Sequence, residues 1–127
     1  MNAKELRIGN LVQEDVSGLS RNGIVNLIKN YRVSLKLPFS NLAIDTKNLK
    51  PIELNDEILE KLGFKNESIN YVKNNVIIYF YDCWHFDYED ERGFNNVRLN
   101  GFWKVHELQN LYFAITGEEL VYSDAVS

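Results

Sequence analysis

An α+β fold built mainly from antiparallel strands is what this sequence predicts, and three observations carry it. Arg32-Val33-Ser34-Leu35-Lys36-Leu37 alternates polar and apolar residues with period two, the pattern of a strand with one buried face. Two segments, near 55–63 and 104–117, carry apolar residues at helical spacing and end on glycine. Between them, Asn74-Asn75 separates two β-rich runs, as the turn of a hairpin would. At 127 residues the chain suits a single domain, 1–127, with a β part at 1–50 and a helix–hairpin–helix part at 51–127.

Taken in order, Leu6 to Val12 reads as the opening strand and Gln13 to Asn22 as a polar loop. Gly23 to Ile28 follows as a strand, with a turn near Lys29 to Tyr31. Arg32 to Leu37 is the next strand, and Leu42 to Asp45 a short further one. This succession (I-G-N-L-V, then G-I-V-x-x-I, then V-x-L-x-L) resembles the opening of SH3-like small barrels, and it implies such a barrel or antiparallel sheet over residues 6 to 45. Asn55 caps the first helix, with Asp56 and Glu57 at the positive end of its dipole. Ile58, Leu59 and Leu62 form its apolar stripe. Gly63 suits the left-handed position after the last turn, letting Phe64 fold back on Leu59.

The hairpin pairs Ser68 to Lys73 with Val76 to Asp82, the second arm extending through Tyr88. Asp87 to Gly93 reads as an acidic loop, and Asn95 to Trp103 as a strand broken at Asn100-Gly101. The last helix runs from about Lys104 to Thr116, with Val105, Leu108, Leu111, Tyr112 and Ile115 on one face. His106, Gln109, Asn110 and Phe113 lie on another face. They make either a partner surface or, for Phe113, a contact beneath the hairpin. Gly117 ends the helix and a tail follows.

Composition excludes several function classes. Fourteen Lys and Arg against eighteen Asp and Glu give a net charge of −4, which opposes duplex nucleic-acid binding through neutralised phosphates. A single cysteine, Cys83, rules out an internal disulfide framework and suits a reducing, cytoplasmic setting. Met1 to Arg7 is charged and lacks an apolar core, so no secretory signal is expected. No apolar run reaches the ~20 residues of a membrane span, so no membrane partner is expected either.

Three blocks of sequence form one pattern: E-L-R-I-G-N-L-V (Glu5 to Val12), P-I-E-L-N-D-E-I-L-E-K-L-G-F (Pro51 to Phe64) and H-E-L-Q-N-L-Y-F-A-I-T-G-E-E-L (His106 to Leu120). The pattern resembles a family of small uncharacterised proteins of phages and mobile elements in Bacteroidetes-type bacteria. That resemblance implies a bacterial cytoplasmic location and brings no catalytic residue with it. The stretch from Tyr79 to Trp103 lies outside the pattern, and it holds nine of the sixteen aromatic residues.

Within that stretch, strand geometry puts Cys83, His85 and Asp87 on one face and Trp84, Phe86 and Tyr88 on the other. The first set is a partial metal-ligand set that another element would have to complete, or simply a solvated strand face. As a Cys-His-Asp nucleophilic site it would need convergence that next-but-one strand neighbours rarely have. The chain also lacks phosphate-cradling and nucleophile-elbow motifs, so no enzyme and no cofactor are expected.

The aromatic set serves either as core or oligomer interface, or as a platform for nucleobases, each stacked base contributing about 1–3 kcal/mol. Trp84, Arg92, Arg98, Phe102 and Trp103 are the candidate ligand-binding residues. The leading expectation is a non-enzymatic, homo-oligomeric phage protein that sequesters a nucleotide-like ligand such as a host defence signal. The alternative is an inhibitor or adaptor that binds a host protein through an acidic, aromatic surface.

Overall fold

A computed structural model describes residues 1–16, 19–29, 32–37, 40–99 and 103–123. The expected break at Asn100-Gly101, the Tyr31 end of the first turn and the candidate Phe102 lie outside these residues. The chain divides into two compact units, 1–53 with 104–120 and 54–103 with 121–127. The closing helix therefore belongs with the N-terminal strands, whereas the sequence reading grouped it with the hairpin.

The first unit holds β1 (Leu11–Val16), β2 (Leu19–Lys29), β3 (Arg32–Leu37), β4 (Ser40–Asp45) and β5 (Leu49–Lys50) in one antiparallel sheet, ordered β4-β3-β2-β1-β5. The strand at Arg32 to Leu37 stands as its alternation predicts, with Val33, Leu35 and Leu37 buried. Among the described residues β4 and β5 are free edges, so the sheet is open and the expected SH3-like closure is absent. Val12, Val25, Val33, Leu35, Ile44 and Leu49 form its aliphatic core with Leu6.

Two departures from the sequence reading have clear causes. Leu6 to Asn10 is a turn, not a strand. Gly9 takes φ +100°, Asn10 N–H donates to the Arg7 carbonyl at 3.1 Å, and Asn10 Oδ1 accepts from Arg7 N–H at 2.7 Å. The polar stretch Gln13 to Asn22 is largely the β1–β2 hairpin. Its charges are matched across strands: Glu14, only 4% exposed, faces Arg21, whose Nε donates to it at 2.7 Å. Gly23 lies inside β2, where a β-carbon would sit 3.1 Å from side-chain atoms of Leu35 and Leu37. The side chains of β3 thus crowd this position, and a larger residue would require them to shift by a few tenths of an ångström.

In the second unit, α1 (Asp56–Lys61) is capped by Asn55, whose Oδ1 accepts from Ile58 N–H at 2.9 Å. Gly63 takes φ +96° and Phe64 N–H donates to the Leu59 carbonyl at 3.1 Å, closing the helix as its sequence predicts. Then β6 (Lys65–Glu67), β7 (Asn70–Lys73), β8 (Val76–Tyr81), β9 (Cys83–Asp90) and β10 (Gly93–Leu99) form an antiparallel meander in chain order. Asn74, at φ +55°, supplies the expected turn between β7 and β8.

The hairpin arm does not run through to Tyr88, because the chain reverses at Asp82, which takes φ +62°. The acidic segment Asp87 to Asp90 is strand, not loop, and Gly93 starts β10 at φ +113° after a two-residue turn. Ile58, Leu59, Leu62, Phe64, Tyr71, Val76, Ile78 and Phe86 are the buried apolar residues of these elements. Burial, with a hydrogen bond to Asp56 next, pushes the Tyr71 phenol up to about 12.

The final helix, α2 (Val105–Thr116), ends on Gly117 at φ +76°. Val105, Leu108 and Tyr112 are buried as the apolar stripe predicts, and so are His106 and Gln109 on the neighbouring face. Gln109 Oε1 accepts from Leu11 N–H at 2.8 Å, while its Nε2 donates to the carbonyls of Gly9 and Leu120, each at 3.0 Å. Asn110 donates to the Glu5 carbonyl and accepts from Asn10 Nδ2 at 2.9 Å. The Arg7 guanidinium lies 4.0 Å from the centre of the Phe113 ring and pairs with Glu119. The helix face considered for a partner thus grips residues 5–11 of its own unit. No helix among the described residues is long and apolar enough to cross a membrane.

Candidate ligand-binding face of the second sheet

Alternation along β8, β9 and β10 sorts the aromatic stretch onto two faces. Ile78, Phe86 and Val97 are cross-strand partners on one face, where Phe86 is fully buried and Val97 half-buried. Phe86 meets Tyr88 edge-on at 6.2 Å, and Trp84 meets Phe80 edge-on at 5.4 Å. This row is therefore partly core, becoming exposed at Phe80.

The other face carries Ile77, Tyr79 and Tyr81 from β8, Cys83, His85 and Asp87 from β9, and Phe94, Asn96 and Arg98 from β10. Tyr79 and His85 are opposite one another, their rings stacked at 4.8 Å and 4° apart in plane. Asn96 Nδ2 donates to Asp87 Oδ1, and lies 3.4 Å from both the Tyr79 hydroxyl and His85 Nδ1. Burial, reinforced by Asp87, raises the Tyr79 phenol above its usual range, so it remains a neutral donor at pH 7.

Hydrogen bonding selects the His85 tautomer. Its Nε2 lies 3.1 Å from the Tyr81 carbonyl, which can only accept, so that nitrogen carries the proton. Its Nδ1 then accepts from Asn96, whose amide nitrogen is oriented by Asp87. Cys83 Sγ is 3.7 Å from the same Nε2, which has no lone pair left to take a thiol proton. The Cys83-His85-Asp87 set is thus not assembled as a nucleophilic triad. Nor does it form a metal cage, since no group of three His, Cys, Asp or Glu converges among the described residues. Cys83 and Asp87 are four positions apart on one strand, about 13 Å at strand rise.

An open groove of about 400 Å³ crosses this region, lined by Ile69, Asn70, Ile77, Tyr79, Phe80, Tyr81 and Asp87. Among the described residues, Asp87 is its single charged lining residue. Ile69 and Tyr81 are 80% and 73% exposed, so their apolar surface is available to an incoming group. The first unit has nine Lys and Arg against eight Asp and Glu, whereas the second has five against ten. The groove lies in the acidic unit.

Of the described candidate ligand-binding residues, Trp84, Arg98 and Arg92 take different positions on the second sheet. Trp84 is half-buried on the Phe86 face, whereas Arg98, opposite His85, is exposed on the groove face. Arg92 is exposed at the β9–β10 turn, its N–H donating to Asp90 Oδ1 at 2.8 Å; it stands at the far end of β9 from Trp84. Trp103 is half-buried beyond β10, its carbonyl accepting from Leu54 N–H at 3.0 Å. Tyr79, Tyr81, Asn96 and Ile69 were not singled out by sequence. For Tyr79 and Tyr81 the signal was the period-two alternation continued across the reversal at Asp82; Ile69, in the turn before β7, and Asn96, on β10, lie outside that alternation.

Compared with family models, curated proteins and solved structures, the chain finds no significant match.

Proposed function

We propose that this chain is a non-enzymatic binding protein that engages a basic protein partner through the groove-bearing face of its second sheet. The observation that supports this is the lining of the groove: apolar and tyrosine surface around one carboxylate, with no lysine or arginine among the described lining residues, in a unit where carboxylates outnumber cations two to one. Such a surface attracts cationic proteins and repels phosphates. In the setting suggested by the sequence blocks of residues 5–12, 51–64 and 106–120, a phage or mobile element within a bacterial cytoplasm, the partner is a host protein and the chain its inhibitor or adaptor.

A second reading, sequestration of a nucleotide-like ligand, draws on the Tyr79–His85 stack, the amide of Asn96 and the guanidinium of Arg98 on the same face. Homo-oligomerisation would then enclose the ligand between two such faces.

Affinity capture from bacterial lysate, run beside a thermal-shift screen of cyclic nucleotides and ADP-ribose derivatives, separates the two. The expected result is a basic protein retained at low salt, released at high salt, and not retained by an Ile69→Asp variant. A melting shift with one nucleotide, about 2.7 kcal/mol at a hundredfold excess over Kd, would overturn this in favour of sequestration. Capture that is indifferent to Ile69→Asp would remove the groove from the account.

A further inference from the structure

Resting on that reading, we infer that the groove is a guanidinium site: it takes one arginine side chain of the partner between tyrosine rings, against Asp87. Three features of the groove match that chemistry. Tyr79 and Tyr81 are successive residues on the same face of β8 and offer ring surface to a planar cation. Asp87 is diagonal to Tyr79 across the β8–β9 pair, within reach of a group lying on that ring. Ile69 and Ile77 complete the lining with apolar surface along which the methylene stem of an arginine can lie.

The carboxylate is already oriented. Asn96 donates to its Oδ1, holding the carboxylate while leaving lone pairs for a forked donor. Orientation of this kind lowers the entropy lost on binding. A phosphate or carboxylate ligand would meet Asp87 as a like charge, and a neutral apolar ligand would leave its free lone pairs unused. Guanidinium satisfies the rings and the carboxylate together, and its fork suits two acceptor positions better than the point charge of lysine.

The test is a nuclear magnetic resonance titration of the full chain with acetyl-Gly-Arg-Gly-amide, and with the same peptide carrying citrulline or lysine. Expected are shift changes at the Ile69 and Ile77 methyl groups with the arginine peptide, and at least tenfold weaker binding of the citrulline peptide. Asp87→Asn should weaken the arginine peptide tenfold or more. Tyr81→Ala, at an exposed position, should do so with the melting temperature unchanged. No shift at either isoleucine, equal binding of citrulline, or tighter binding of lysine would overturn the guanidinium assignment. If the arginine peptide fails while a basic protein is still captured, only this inference falls; if both fail, the functional reading falls with it.

Discussion

The two units solve the same problem, covering one antiparallel sheet, and end with opposite surfaces. In the first, polar groups are turned inward. Gln109 and Asn110 of α2 hold the backbone of residues 5–11, Glu14 is buried against Arg21, and the core is aliphatic. In the second, rings and carboxylates are turned outward, with Tyr81 and Phe94 each more than 70% exposed on the face that carries Asp87. The contrast teaches that a polar residue in this chain signals function less by its type than by whether its hydrogen bonds are already used. Gln109 has its carbonyl and amide groups fully engaged, while Asp87 retains acceptor capacity.

Substitutions can break or sharpen that comparison. The largest effect is expected from Phe86→Ala in β9, where removing a fully buried ring should cost about 3–5 kcal/mol in urea denaturation. Gln109→Leu keeps the volume but strands Leu11 N–H and the carbonyls of Gly9 and Leu120. We expect a loss of about 3 kcal/mol, and a loss below about 1 kcal/mol would show that the inward network is dispensable. Asn55→Ala removes the cap of α1 and should cost about 1 kcal/mol by the same measurement.

His106 supplies a pH test confined to the first unit. It is 3% exposed, and neither ring nitrogen has a hydrogen-bond partner among the described residues. Burial lowers its pKa from 6.5, outweighing the opposite pull of Glu107 and of Glu5, whose Oε1 is 4.0 Å away, while Lys104 adds to the lowering. The unfolded chain therefore takes up a proton at a higher pH than the fold does. Stability present above pH 6.5 should fall as pH drops below it, and a His106→Phe variant should flatten this part of the pH profile. An unchanged slope would mean that His106 is not the group responsible. The smallest stability effect, within about 0.5 kcal/mol, is expected for Tyr81→Ala, and calorimetric melting checks it. A large loss there would mean that the open face is structural after all.

How much was legible depended on the range of the interactions. The cap at Asn55, the left-handed Gly63, the helix end at Gly117 and the alternation of Arg32 to Leu37 involve neighbours within a few positions, and each stands as read. The hairpin from Leu11 was hidden because Glu14 and Arg21 look like loop residues until they face each other across two strands. The reversal at Asp82 was hidden because an aspartate at positive φ leaves no glycine to mark it. The candidate site was divided by pairing of another kind: Trp84 and Arg98 lie on neighbouring strands, yet the β9–β10 register sends them to opposite faces.

By itself, the sequence determined the α+β class, both helices and their ends, and the concentration of aromatic residues between Tyr79 and Trp103. Capping, periodicity and composition are local properties, so they survive without knowledge of partners. Tertiary structure alone decided that α2 joins the N-terminal strands, that the first sheet stays open, and that Tyr79, Tyr81 and Asp87 line one groove. Those outcomes rest on strand pairing and on which buried polar groups find each other, and both depend on contacts between residues distant in the chain.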